Sequence, residues 1–306
     1  MYIGLGLGIE KNSTTNTVDT WEEITGKVLH YDFSDASTLF QNNNGTTAVS
    51  ANNDPIGYAK NLVGGGLGTA LTSFNNSSSR PIFKTGGTNS KSYAQFDNTV
   101  SNTGLRGGVS ANGTVIGGIS DTVFSNYTLN TQNLTFIMVS KQDVEDISGV
   151  GSQTLFKIEG DGGDTWSNRF YFTKSAWGGA VNDLHMSVHY GGTPAINLIP
   201  SGGGPLWTTE DRLITTRTTS GTNNTKIQVD NNTEITGTVN ASEDFTLTTS
   251  AGKTSVSIGV DVNTYLTPNT NYWGGRIYEI ILFNRTLSDA ELTLVKSYIN
   301  TKYALW

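Results

Sequence analysis

One change of hydrophobic period constrains this chain more than anything else in it. From Ile277 to Phe283 the residues are β-branched, aromatic and apolar, as a buried strand requires. After a short polar break the period becomes helical. Ser288 is a good N-cap residue, and Glu291 stands three places on, as a capping box needs. Leu287 and Leu292 occupy the two positions of a hydrophobic staple. Leu292, Val295, Ile299 and Tyr303 then recur at i, i+3 and i+4 spacing and form one apolar stripe. No other segment reads as a helix. The expectation is a long β-rich chain closed by a single capped helix.

The rest of the chain supports that expectation. Val28–Phe40 reads as a strand leaving through a Ser/Asp turn, and Lys91–Asn98 alternates. Asn133–Gln142 is nearly continuous in apolar residues. Thr154–Gly160 and Arg169–Ser175 flank a Gly/Asp turn, and Asp183–Gly192 alternates again. Arg212–Thr238 reads as three strands separated by polar turns, while residues 41–80 are rich in Asn, Gly and Ser and read as loops with short strands. Short strands at this spacing predict two packed antiparallel sheets.

Charged residues are only 15% of the 306, and the net charge is −7, with no basic stripe to neutralise phosphates. A nucleic-acid partner is therefore not expected. The absence of cysteine excludes disulfides and thiolate-bound metals. No run is long enough to insert in a membrane. The opening MYIGLGLGIEKN lacks a basic n-region, so no signal peptide is expected. Residues 1–9 alternate strictly: Ile3, Leu5, Leu7 and Ile9 on one face, glycines on the other. A bare face allows close approach of another backbone, which suits a docking arm; a first strand of the domain's own sandwich is the alternative. Residues 1–20 are thus expected to be an attachment arm and linker, and 21–306 the folded domain.

The final segment resembles the end of the laminin G-like, concanavalin A-like lectin/glucanase superfamily, where the last core strand reads roughly G-x-I-x-E-[VI]-x-[IV]-[YF]-[ND]-R-x-L-[ST]-x-x-E and a K-Y pair often ends the helix. Gly275, Ile277, Glu279, Ile280, Leu282, Phe283, Asn284, Arg285, Leu287, Ser288 and Glu291 match, as do Lys302 and Tyr303. Val28–Phe40 is similar to the family's opening W-x-D-A-S segment, and Lys91–Asn98 resembles its A-L-x-F-D-G strand. Ile227, Val229 and the Asp230–Asn232 turn fall in its central hairpin, and Ser255–Gly259 in the strand before the last. The resemblance implies an all-β fold, an antiparallel two-sheet β-sandwich (jelly roll, concanavalin A-like) with one short C-terminal helix. A shared fold leaves function open.

Laminarinase-like enzymes of this superfamily place two carboxylates on one strand as E-x-D-x-x-E. That spacing is absent; the nearest acidic cluster, Asp143, Glu145 and Asp146, runs into a turn. No enzyme activity is expected. Aromatic rings near glycines are candidates for stacking on sugars: Trp166, Trp177, Tyr190 and Trp207, with Asn168, Asn182 and Asp183 to read hydroxyls. Plugging the sandwich edges is their alternative role. Asp161, Asp164 and Asn168 lie on a glycine-rich loop and offer hard oxygen ligands for calcium, which relatives bind at a sheet rim; otherwise the loop is a polar turn. His185 and His189 share a strand face, with Asp183 the one nearby third ligand for a metal, and read better as residues lining a concave sheet.

These features resemble the layout of bacteriophage structural proteins. The expected function is a non-enzymatic virion protein of the capsid, tail fibre or decoration type. It would be made in the host cytoplasm and display a lectin-like domain toward glycans. The arm would dock to other virion proteins, and the chain would form a homo-oligomer, as a trimeric fibre does. A bacterial carbohydrate-binding or adhesin module, and a purely architectural spacer, are the alternatives. No cofactor beyond calcium is implied.

Overall fold

The structure, a computed structural model, describes residues 20–74, 79–100, 103–110, 112–120, 123, 133–143, 153–159, 169–175, 183–190, 193–198, 210–219, 225–237, 254–262 and 265–306. Among them are twenty strands. The first eight are β1 (Lys27–Asp32), β2 (Leu39–Phe40), β3 (Tyr58–Lys60), β4 (Ala70–Ser73), β5 (Ile82–Lys84), β6 (Tyr93–Phe96), β7 (Leu105–Val109) and β8 (Val115–Ile116). The middle of the chain gives β9 (Thr135–Gln142), β10 (Gln153–Glu159), β11 (Arg169–Ser175), β12 (Asp183–Tyr190), β13 (Thr193–Leu198), β14 (Arg212–Arg217), β15 (Thr225–Val229) and β16 (Ile235–Gly237). Then come β17 (Ser255–Ile258), β18 (Val260–Val262), β19 (Pro268–Tyr272), β20 (Gly275–Phe283) and one helix, α1 (Asp289–Tyr303).

Two antiparallel sheets face each other. Sheet A runs β16-β15-β14-β9-β20-β6-β5, with β1 also paired to β20. Sheet B runs β13-β12-β11-β10-β17-β7-β4-β3-β2, with β8 against β7. The all-β sandwich with one C-terminal helix is thus the architecture observed. Its core is aromatic. Phe136 of sheet A lies with its ring centroid 4.7 Å from both Phe156 and Phe172 of sheet B. Rings offset at such distances add to what their buried area contributes.

The two sheets differ in how their strands read, and the reason is what covers their outer faces. On β9, Phe136 and Met138 enter the core, while Ile137 and Val139 point the other way and meet α1. On β20, Ile280 and Leu282 face inward, and Ile281 and Phe283 face the helix. Strands buried on both sides read as continuous apolar runs. In sheet B, Phe170 and Phe172 of β11 and Val256 and Ile258 of β17 enter the core, with polar residues between them.

The helix is held as its sequence predicts. The Ser288 hydroxyl accepts from the Glu291 backbone N–H, and the Glu291 carboxylate accepts from the Ser288 N–H at 2.9 Å, completing the capping box. Leu292, Val295, Ile299 and Tyr303 are all buried against sheet A. At the other side of the sandwich, Gly259 adopts φ +75°, and a Cβ there would stand 2.2 Å from the Phe96 ring. Glycine is needed at that bend, which turns the chain from β17 into the β18–β19 hairpin.

The free edge of β1 is occupied by a loop. The Asn61 side-chain oxygen accepts the His30 N–H at 3.0 Å, the Leu62 N–H bonds the His30 carbonyl, and the Leu67 N–H bonds the Val28 carbonyl.

Candidate functional site

The outer face of sheet B is built by register. Arg106 pairs with Ser257, Ser257 with Lys157, and Lys157 with Tyr171, so one row crosses four strands. Their flanking neighbours Leu105, Val256, Ile258, Ile158, Phe170 and Phe172 enter the core, so alternation sends the row outward. By register the row extends to Thr72 on one side and Ser187 on the other. Tyr171 and Arg106 are half-buried; Lys157 and Ser257 are buried.

Lys157 is the centre of a closed charge group. Its ammonium bonds Glu159 Oε2 at 2.5 Å, Asp261 Oδ1 at 2.7 Å and the Val262 carbonyl at 3.0 Å. All three donors are used. Burial opposes the charged form, but Glu159 and Asp261 outweigh it and hold the pKa of Lys157 above its ordinary value. The group ties the β18–β19 hairpin over sheet B.

Elsewhere on this face the polar atoms are less completely used. Ser257 Oγ and Thr173 Oγ1 are buried and make no hydrogen bond. Ser140, Thr216 and Thr225 also lack hydroxyl partners, but they share a strand face with the core residues Met138, Ile214 and Ile227 of sheet A and face inward. Arg106 lays its guanidinium 4.3 Å from the centre of the Phe74 ring.

The outer face of sheet A carries the other polar cluster, and it is sealed. One ligand atom from each of His30, Asp32 and Glu279 lies within 4.8 Å of the others, a spacing that could hold a metal ion. The helix supplies its own cation instead: Lys302 Nζ bonds Asp32 Oδ2 at 2.6 Å and Glu279 Oε2 at 2.8 Å. Glu279, 1% exposed, also accepts from Tyr298 at 2.9 Å and Tyr303 at 2.7 Å and bonds the His30 ring at 2.8 Å. Burial works against its charge, but His30 and Lys302 prevail and bring its pKa from 4.5 to about 2. Glu279, Lys302 and Tyr303 belong to the motif that carries the family resemblance. Their convergence shows that the motif describes how the helix is fastened, with no vacant ligand position.

Of the residues singled out from sequence, Trp166, Trp177, Trp207, Asp161, Asp164, Asn168 and Asn182 lie outside the described residues, as do Ile3, Leu5, Leu7 and Ile9. Asp183 and Tyr190 open and close β12, on sheet B. Register sets Asp183 opposite Ser175, His185 opposite Thr173 and His189 opposite Arg169. The strand reading therefore places the two histidines beside the outward positions of β11. Asp143 bonds the Gln95 amide at 2.5 Å and approaches Arg276 at 3.5 Å, on sheet A. Sequence reading missed Lys157, Glu159, Asp261 and Arg106. A lysine and a glutamate at alternate places in TLFKIE were the available signal that one face of β10 is polar.

No family model matches the chain, and no curated protein matches it. Among solved structures it is similar to the CBM40 of the Ruminococcus gnavus IT-sialidase, at 13% identity and TM-score 0.43, over 67% of this chain and 96% of that one. The same module bound to alpha2,3 sialyllactose gives 12% identity and TM-score 0.43, over 67% and 95%. The Trypanosoma rangeli sialidase in complex with sialic acid gives 12% identity and TM-score 0.45, over 91% of this chain and 33% of that one. At these scores the likeness assigns no function.

Proposed function

We propose that this chain is a non-enzymatic carbohydrate-binding sandwich that holds a glycan against the outer face of sheet B. The observation that carries the reading is the pairing of a half-buried aromatic ring, Tyr171, with a polar row on a sheet face that no helix covers among the described residues. Aromatic faces stack on the apolar faces of sugars, and flanking polar groups read the hydroxyls. Non-enzymatic binding is supported by the use of Glu159 and Asp261: both are bonded to the Lys157 ammonium. The test is a glycan array on the whole chain, with neutral and sialylated oligosaccharides, followed by calorimetry on Tyr171→Ala. Binding lost by tenfold or more in a folded variant supports the site. A flat array, or unchanged affinity in the variant, removes it.

The setting we propose in second place is display on a virion, through an arm containing Ile3, Leu5, Leu7 and Ile9, in a homo-oligomer. Its support is the sequence: a cysteine-free, low-charge chain with a one-sided apolar stretch. Deleting residues 1–20 should abolish incorporation into particles; undiminished incorporation ends the arm idea. Calcium at Asp161, Asp164 and Asn168 is tested by melting with and without chelator.

A further inference from the structure

We infer that Arg106 is an anion-recognition residue, and that the glycan held on sheet B carries a negative substituent, a carboxylate or a sulfate. This rests on the glycan-binding reading and adds the charge of the ligand. Arg212, Arg217, Arg276 and Arg285 each stand within 4.0 Å of a carboxylate, as do Lys157 and Lys302. Arg106 and Arg80 have no carboxylate partner among the described residues, and each has a buried Nε without a hydrogen bond, but Arg80 donates to the Gln41 carbonyl. Burial pulls the pKa of Arg106 below the ordinary value, and no neighbouring charge pushes back.

A desolvated cation without a counter-ion is costly, and proteins retain such groups where a ligand completes them. The surroundings fit that role. The Phe74 ring lies under the guanidinium, a cation–π contact that holds it in place. A planar guanidinium offers two parallel N–H groups to a carboxylate or sulfate. Lys157, two strands away at about 10 Å by ordinary strand spacing, is already neutralised by Glu159 and Asp261. Among the described residues of this face, Arg106 is therefore a half-buried cation that no carboxylate neutralises.

The experiment uses the whole chain and three probes: an oligogalacturonate for carboxylate, a heparin tetrasaccharide for sulfate, and laminaritetraose as the neutral control. Wild type is expected to bind at least one acidic probe, with affinity falling as salt rises. Arg106→Met should weaken that binding on the order of tenfold or more and flatten the salt dependence, while Arg106→Lys keeps part of it. Because the cation is uncompensated in the free protein, Arg106→Met should melt no lower than wild type. A residue serving structure alone would give a lower melting temperature and unchanged affinity, which overturns the inference. Binding of the neutral probe alone also overturns it and leaves the glycan reading standing. If none of the three probes nor any array glycan binds, both fall.

Discussion

The two outer faces of the sandwich are made from the same kind of strand and finished in opposite ways. Sheet A is roofed by α1, with Leu292, Val295, Ile299 and Tyr303 driven into Ile137, Val139, Ile281 and Phe283. Even its charges are spent on the roof. Lys302 joins the end of α1 to Asp32 and Glu279. At the start of α1, Arg285 clasps Glu291 through two bonds of 2.9 and 2.6 Å, and Arg217 holds Asp289 at 2.5 Å. Among the described residues, sheet B has a knot of charge at Lys157 and, beside it, the Ser257 and Thr173 hydroxyls, which make no hydrogen bond. The lesson is that polar residues on a sheet face do not by themselves mark a site. The His30–Glu279 cluster looks like a ligand site by composition, and the Lys302 ammonium already fills it.

The contrast can be broken at several places. The largest effect is expected from Lys302→Met, which leaves Asp32 and Glu279 buried without their cation. Breaking a buried pair from one side costs about 3–5 kcal/mol, and urea unfolding should show it. A change under about 1 kcal/mol would mean the helix is held by apolar contacts alone. Next comes acid. The pKa of Glu279 lies below its ordinary value, so its contribution is complete above about pH 4.5 and is lost as pH falls toward 2. The wild-type urea midpoint should fall more steeply across that window than that of Glu279→Gln, and parallel curves would contradict the assignment. Ser288→Ala removes one half of the capping box and should cost about 1 kcal/mol, read as a lower melting temperature. The smallest effect is expected on sheet B: Ser257→Ala and Thr173→Val delete hydroxyls that bond nothing and should shift stability by less than about 0.5 kcal/mol. A loss above 1 kcal/mol there would show the two faces to be alike.

Much of this contrast could be read in advance. The capping box, staple and apolar stripe specify α1 because their interactions are local, spanning three or four residues. The continuous runs TFIMV and EIILF announce strands covered on both sides. Partners distant in sequence were not legible. Lys157 and Asp261 are 104 residues apart, and His30 and Glu279 are 249 apart; no local pattern encodes such meetings. The β18–β19 hairpin escaped because its short strands are joined by a turn with Leu266 at φ +56°, a conformation a branched residue rarely signals. Arg106 escaped for a different reason: in GLRGGV it stands among glycines, which weaken the strand signal although the segment is β7.

The loop that closes the side of β1 has a consequence for how copies of this chain can meet. Three of its groups have already taken the main-chain positions at Val28 and His30 that an incoming strand would use. Pairing of a foreign segment there would first have to unseat Asn61, Leu62 and Leu67. That margin of the sandwich is therefore protected against strand exchange and fibril-like stacking, and assembly by added strands is confined to other borders of the two sheets.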